Sequence, residues 1–326
     1  MITDDLPRVG IAHLPTPLEP LSRLTAQLNG PELWVKRDDQ TGLATGGNKA
    51  RKLEFLVGQA LSERADTLIT CGAAQSNHAR QTAAAAAKYG LNAVLVLQGQ
   101  PVSQVQGNLL LDHLLGAEIV WAGDQPADAR MAEVSRDLED KGRRPYVVPY
   151  GGSNPAGASG YVVAMHELLE QCGRQGRSFD HLVFATSSGG TQAGLVLGAR
   201  VFGFEGSVLG ISVDPSTPTL CSSLADLTTA TAAFLNLDLT FAPADFHVND
   251  DYIGGGYGVV SELERDAIRT MARAEGLILD PVYTGRAFGG LLDLISRGAF
   301  GADEKVLFWH TGGTGGLFAK SEEVLQ

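Results

Sequence analysis

Short apolar runs alternate with helical patterns from about residue 66 to the end of the chain, and this alternation constrains the fold most strongly. Thr67-Leu68-Ile69-Thr70, Ala93-Val94-Leu95-Val96-Leu97, Glu118-Ile119-Val120-Trp121 and Tyr146-Val147-Val148 read as buried strands. Residues 79–89, 108–115 and 127–141 read as the helices between them, the first rich in alanine. A glycine-rich stretch, Gly151 to Gly160, interrupts the pattern. It then resumes as helix 161–172, strand 182–185, helix 191–202, strand 208–211, helix 263–274 and strand 306–309. Strands with helices between them form parallel sheets covered on both faces, which predicts an α/β fold of two open twisted sheets. The expected break between two lobes lies near 151–160, with a cleft between them. No repeat of solenoid period is visible.

At 326 residues the chain can bury one large core or two medium ones. A net charge of −12 and a pI near 5.0 argue against nucleic acid as a partner. The N-terminus lacks a basic segment followed by an apolar core, and no uncharged apolar run is long enough to span a membrane. Cys71, Cys172 and Cys221 are far apart and in no metal-ligand spacing, so free thiols in a reducing cytoplasm are expected and no metal site.

Chemistry concentrates in small-residue turns. In Gly46-Gly47-Asn48-Lys49-Ala50-Arg51-Lys52 a lysine follows two glycines at the start of an amphipathic helix. The glycines let backbone approach a planar ligand, and Asn48 adds amide hydrogen bonds. A solvated basic cluster is the competing reading, but cations in a first turn oppose the helix dipole. A second turn, Cys71-Gly72-Ala73-Ala74-Gln75-Ser76-Asn77-His78, leads into the alanine-rich helix. Ser76 and the free amides there can hold a carboxylate, or Ser76 can serve only as an N-cap. The third, Ser187-Ser188-Gly189-Gly190-Thr191, offers converging N–H and O–H donors suited to a phosphate monoester. It is neither a Walker A loop nor a dinucleotide fingerprint. Thr311, after the last strand, can offer a neutral hydroxyl, while His310 beside it reads as structural. A reactive lysine, a separate phosphate loop and an anion-binding helix start together suggest pyridoxal 5′-phosphate.

Leu14-Pro15-Thr16-Pro17-Leu18, Lys36-Arg37-Asp38-Asp39, Gly46-Gly47-Asn48-Lys49, Gln75-Ser76-Asn77-His78, Gly256-Tyr257-Gly258 and Asp280-Pro281-Val282-Tyr283-Thr284-Gly285 occur in that order. Through them the chain resembles pyridoxal-phosphate enzymes of the tryptophan-synthase β-subunit fold type. It is most similar to the branch holding D-cysteine desulfhydrase, L-cysteate sulfo-lyase and 1-aminocyclopropane-1-carboxylate deaminase. The resemblance implies a homodimer, with a small domain at 48–158 inserted in a large cofactor-binding domain formed by 1–47 and 159–326. It matches Lys49 to the Schiff-base lysine, Asn77 to the residue beside the cofactor's phenolic oxygen, and Ser187 to Thr191 to the phosphate loop. Ser76 matches the serine near the substrate carboxylate, with Asn77 and His78 beside it in the substrate site. Tyr257 and Tyr283 match the two tyrosines over the substrate, and Thr311 the residue facing the pyridine nitrogen.

Cyclopropane deaminases of this branch carry a glutamate where Thr284 stands and a leucine where Thr311 stands. The expected reaction is therefore elimination of sulfide or sulfite from a 3-substituted alanine, leaving pyruvate and ammonia, with Lys49 as the base. Cyclopropane opening and β-replacement are alternatives within the family. A nicotinamide-dependent oxidoreductase is disfavoured because the required glycine spacing is missing. A ligand-binding protein without catalysis is disfavoured by the joint presence of Lys49, Ser76, Tyr257 and Tyr283.

Overall fold

The computed structural model describes residues 1–326. The chain opens with β1 (Leu18–Pro20), α1 (Ser22–Leu28) and β2 (Glu32–Lys36). Next come α2 (Lys49–Ser62), β3 (Thr67–Gly72), α3 (Asn77–Lys88), β4 (Asn92–Leu97), α4 (Gly107–Leu114), β5 (Glu118–Trp121), α5 (Ala127–Asp140) and β6 (Pro145–Val147). The long α6 (Pro155–Gln175) leads to β7 (His181–Thr186), α7 (Gly190–Phe202), β8 (Ser207–Ser212), α8 (Thr217–Phe234) and β9 (His247–Asn249). The chain closes with α9 (Glu262–Glu275), α10 (Thr284–Ser296), β10 (Lys305–Trp309), α11 (Thr314–Phe318) and α12 (Ser321–Leu325). No helix is long and apolar enough to cross a membrane.

Two sheets result, ordered β1-β2-β10-β7-β8-β9 and β5-β4-β3-β6. Every pairing is parallel except β1 with β2, which puts an antiparallel strand at one edge. The smaller sheet shows how the pattern works. Leu68, Leu95 and Leu97 face α2 and α3, while Ile69, Cys71, Val94 and Val96 face Met131, Val134 and Leu138 of α5. Side chains alternate across a strand, so consecutive apolar residues feed two cores. The larger sheet likewise separates a core under α1, α9 and α10 from one under α6 and α7.

One expectation needs correction. The glycine-rich stretch is mostly helix rather than a break. Asn154 caps α6 by accepting from the Gly157 N–H at 2.9 Å, and Pro155 occupies the first turn. Gly160 lets α6 press on α2, since a Cβ there would fall 2.3 Å from the Arg51 carbonyl oxygen. The two sheets are interleaved along the chain. The larger one takes β1 and β2 from before the smaller sheet and β7 to β10 from after it.

Candidate active site

A cleft lies between the sheets at the carboxyl ends of β3, β7 and β10, as expected for an open α/β architecture. Asn48, Lys49, Ser76, Asn77, His78, Ser187, Ser188, Gly189, Thr191, Tyr283 and Thr311 all line it. Segments remote in sequence are thus brought together.

Lys49 begins α2, and its Nζ donates to Asn48 Oδ1 at 3.1 Å. Asn48 Nδ2 donates in turn to Thr191 Oγ1 at 3.1 Å, joining the lysine to the Ser187–Thr191 turn. The backbone N–H of Asn48 donates to the Thr311 carbonyl at 2.9 Å. Glycine is required at this junction: a Cβ on Gly312, at φ 92°, would fall 2.6 Å from the Gly47 Cα. Burial and the nearby Arg80 guanidinium lower the Lys49 pKa to about 8, against the opposing pull of Asp280.

Lys52 also lines the cleft, where a solvated basic cluster would have left it exposed. Its side chain is buried, and Nζ donates only to the Gly151 carbonyl at 3.0 Å and Ser153 Oγ at 3.4 Å. Burial, then repulsion from Lys49, holds its pKa well below the usual lysine value. A buried lysine amine without a carboxylate partner, beside a hydroxyl-rich turn at the start of α7, fits a phosphate, whose charge would favour its protonated form. The spacing of three from Lys49 was the available signal, since such residues share a helix face. Tyr150 also lines the cleft with no motif to mark it, beside Gly151 at the start of the glycine-rich stretch.

Ser76 is the N-cap of α3, its Oγ accepting from the Ala79 N–H at 3.1 Å. His78 Nε2 lies 2.9 Å from Thr70 Oγ1, which itself donates to the Val148 carbonyl. Nε2 must therefore carry the proton, and burial with Lys49 and Lys52 nearby keeps the ring neutral. Tyr257 and Tyr283 form a hydroxyl pair 2.7 Å apart, with rings at 75°. Burial raises the pKa of both. Asp280 presents Tyr283 by accepting from the N–H groups of Val282, Tyr283 and Thr284. Arg286 anchors the Tyr257 loop through the Gly256 and Val259 carbonyls.

Three expected residues stand apart from the lining. Thr284 is buried behind the cleft, its hydroxyl donating to Asp280 Oδ1 at 2.8 Å. The local cap claims that hydroxyl, so it does not face a ligand. Gly190 supplies a backbone N–H bonded to Ser153 Oγ at 3.1 Å. Tyr257 joins through its hydroxyl partner Tyr283.

The cleft holds Lys49 and Lys52 but no aspartate or glutamate among its 17 lining residues, although the chain as a whole carries −12. That local excess of positive charge favours anions. With Lys49 for an aldehyde, the Lys52 region for a phosphate and Thr311 for a neutral ring nitrogen, these residues fit pyridoxal 5′-phosphate.

The family model described as pyridoxal-phosphate dependent enzyme matches residues 10–312. A D-cysteine desulfhydrase from Salmonella typhi is 44% identical over 320 residues, covering 96% of each chain. A Pyrococcus furiosus protein provisionally named as 1-aminocyclopropane-1-carboxylate deaminase is 43% identical, covering 98% of this chain and 95% of its own. A crystal structure of an ACC deaminase homologue superposes with a TM-score of 0.92 at 39% identity, over 99% of this chain and 97% of that one. A threonine deaminase from T.th. shares the fold at TM-score 0.64 and 22% identity, covering 91% of this chain and 92% of its own. The cleft, the family match and the near full-length relatives agree: this chain belongs to the pyridoxal-phosphate-dependent enzymes, in their fold type II.

Proposed function

We propose that this lyase eliminates a sulfur leaving group from the β-carbon of a 3-substituted alanine, of the D-cysteine or L-cysteate kind. The products are pyruvate, ammonia and sulfide or sulfite. The observation that carries the reading is the position of Thr311 after β10, in a cleft with no carboxylate among its lining residues. Bound pyridoxal phosphate supplies an electron sink for the bond broken at the substrate's α-carbon. A threonine hydroxyl leaves the ring nitrogen neutral, which suits departure of a good leaving group better than cyclopropane opening.

The residues divide the work. Lys52 and the Ser187–Thr191 turn would hold the phosphate, and Asn48 couples that turn to Lys49. With the cofactor bound, Lys49 would hold the aldehyde, and its amine, whose pKa is lowered by burial and the nearby Arg80, would serve as general base at the α-carbon. Ser76 and the unpaired N–H groups opening α3 receive the substrate carboxylate. Tyr257 and Tyr283 keep their protons at neutral pH, so the pair donates toward the departing sulfur.

In this reading residues 48–158 form the small domain and the remainder the large one. The enzyme is proposed to be a homodimer of the cytoplasm; the three free, buried cysteines support only the reducing compartment. Incubating the holoenzyme with D-cysteine, L-cysteine, L-cysteate and 1-aminocyclopropane-1-carboxylate separately tests the substrate. Pyruvate with sulfide from D-cysteine supports a desulfhydrase, and pyruvate with sulfite from L-cysteate a sulfo-lyase. The relatives named for deaminase activity favour a second reading. A four-carbon keto acid from the cyclopropane substrate alone would replace the first reading with it.

A further inference from the structure

Asn77 opens α3 and lines the cleft. Its amide accepts at one end and donates at the other, and the two ends act oppositely on an anionic oxygen beside them. The choice between them is made behind Asn77, on α4. Asn108 is fully buried there, and its Nδ2 donates to the Gln75 backbone carbonyl at 2.8 Å. Because a backbone carbonyl only accepts, this bond distinguishes the Asn108 amide from its flipped form. The same Nδ2 donates to Asn77 Oδ1 at 2.8 Å. Arg80, also buried and only a donor, places Nη2 3.4 Å from that oxygen. Two donors on Oδ1 leave the Asn77 Nδ2 for the cleft.

We infer that Asn108, assisted by Arg80, is a positioning residue that turns the Asn77 amine toward the phenolic oxygen of the bound cofactor. The inference rests on the pyridoxal-phosphate reading of the cleft with Asn77 at that oxygen. Asn108 is itself held tightly. Its backbone N–H donates to Gln75 Oε1 at 2.8 Å, and a Cβ on Gly315 of α11 would fall 2.2 Å from Asn108 Oδ1. The amide therefore has no room to swing away from Asn77. With Asn108 and Arg80 in place, a flipped Asn77 would set its amine against donors and its oxygen against the phenolic oxygen, two repulsions at once.

A donor at the phenolic oxygen favours the deprotonated form of the lysine-bound chromophore, so its loss moves the chromophore's titration upward in pH. The test is a pH titration of the visible absorption of cofactor-loaded wild type, Asn77→Ala, Asn108→Leu and the double variant. Folding of each is checked by circular dichroism. Asn77→Ala is expected to raise the midpoint by about one pH unit, the size of one charge-assisted hydrogen bond. Asn108→Leu should raise it in the wild-type background and leave it unmoved in the Asn77→Ala background. Asn108→Ala carries the same comparison if the leucine variant does not fold. An unshifted midpoint in a folded Asn108 variant, or shifts that add in the double variant, would overturn the positioning role. An unshifted Asn77→Ala would instead remove Asn77 from the phenolic oxygen, and absence of any visible band in wild type would remove the cofactor reading.

Discussion

Lys49 and Lys52 stand three residues apart on one helix, with opposite demands on their charge. In the proposed reaction Lys49 acts through a neutral amine, whereas Lys52 serves as a cation beside the phosphate. Lys49→Ala is expected to abolish the stable visible band and lower turnover by about 10³-fold or more, read by absorption and pyruvate release. Lys52→Gln should keep the band at saturating cofactor but weaken cofactor affinity by about 10- to 100-fold in a titration of the apoprotein. The lowered Lys49 pKa makes a further prediction. Capture of cofactor by the apoprotein should accelerate as pH rises through about 8, where the neutral amine becomes dominant. Linkage has a definite sign here. The unfolded chain keeps its lysine protonated up to 10.5 while the folded one releases the proton near 8. The cost of burying that charge is therefore full below pH 8, and this group's contribution turns toward stability between 8 and 10.5. Lysine and turn motifs made Lys49 legible from the sequence. The role of Lys52 depends on Gly151 and Ser153, about 100 residues away, and spacing along the chain carries no such information.

At the scale of elements, legibility followed length and periodicity. β3 and β4 were readable because both faces of these strands are buried: β4 is apolar without interruption from Ala93 to Leu97, and β3 combines Leu68 and Ile69 with β-branched threonines. β1 and β9 have three residues each, too few to show a period, and β2 is bounded by Glu32 and the buried Lys36. Lys36 survives in a core because Glu167 and Gln171 accept from it, a tertiary pairing that overrides the residue's usual exposure. The start of α6 is masked in the sequence because its first turns carry glycines at 157 and 160. Those glycines serve the packing of α6 on α2 and cost helix propensity to do so. Gly160→Ala should therefore destabilise the apoprotein by about 1–3 kcal/mol, measured by urea unfolding, although alanine is the better helix former.

For the whole molecule, the seam between the sheets depends on a buried charged cluster. Arg51 of α2 donates to Asp38 and to Glu167 of α6, and Tyr161 donates to Asp38 at 2.6 Å. Burial alone would raise the Asp38 pKa, but the Arg51 charge and its hydrogen bonds outweigh it and leave the carboxyl at about 2. A depressed carboxylate adds stability above its ordinary value of 3.8, and the gain disappears as pH falls toward 2. Asp38→Asn is expected to cost about 3–5 kcal/mol at neutral pH, because it leaves Arg51 undercompensated, and the difference from wild type should shrink in acid. Denaturant unfolding of the apoproteins at several pH values checks both parts. The sequence by itself determined the α/β class, the order of the central strands and helices, and the turns where chemistry could reside. These are local matters of period, propensity and small-residue composition. Tertiary structure alone decided which buried lysine lacks a carboxylate partner and which end of Asn77 faces the cleft. Each of those depends on groups brought together from distant positions, and a hydrogen bond or ion pair acts through separation in space, with no regard to separation along the chain.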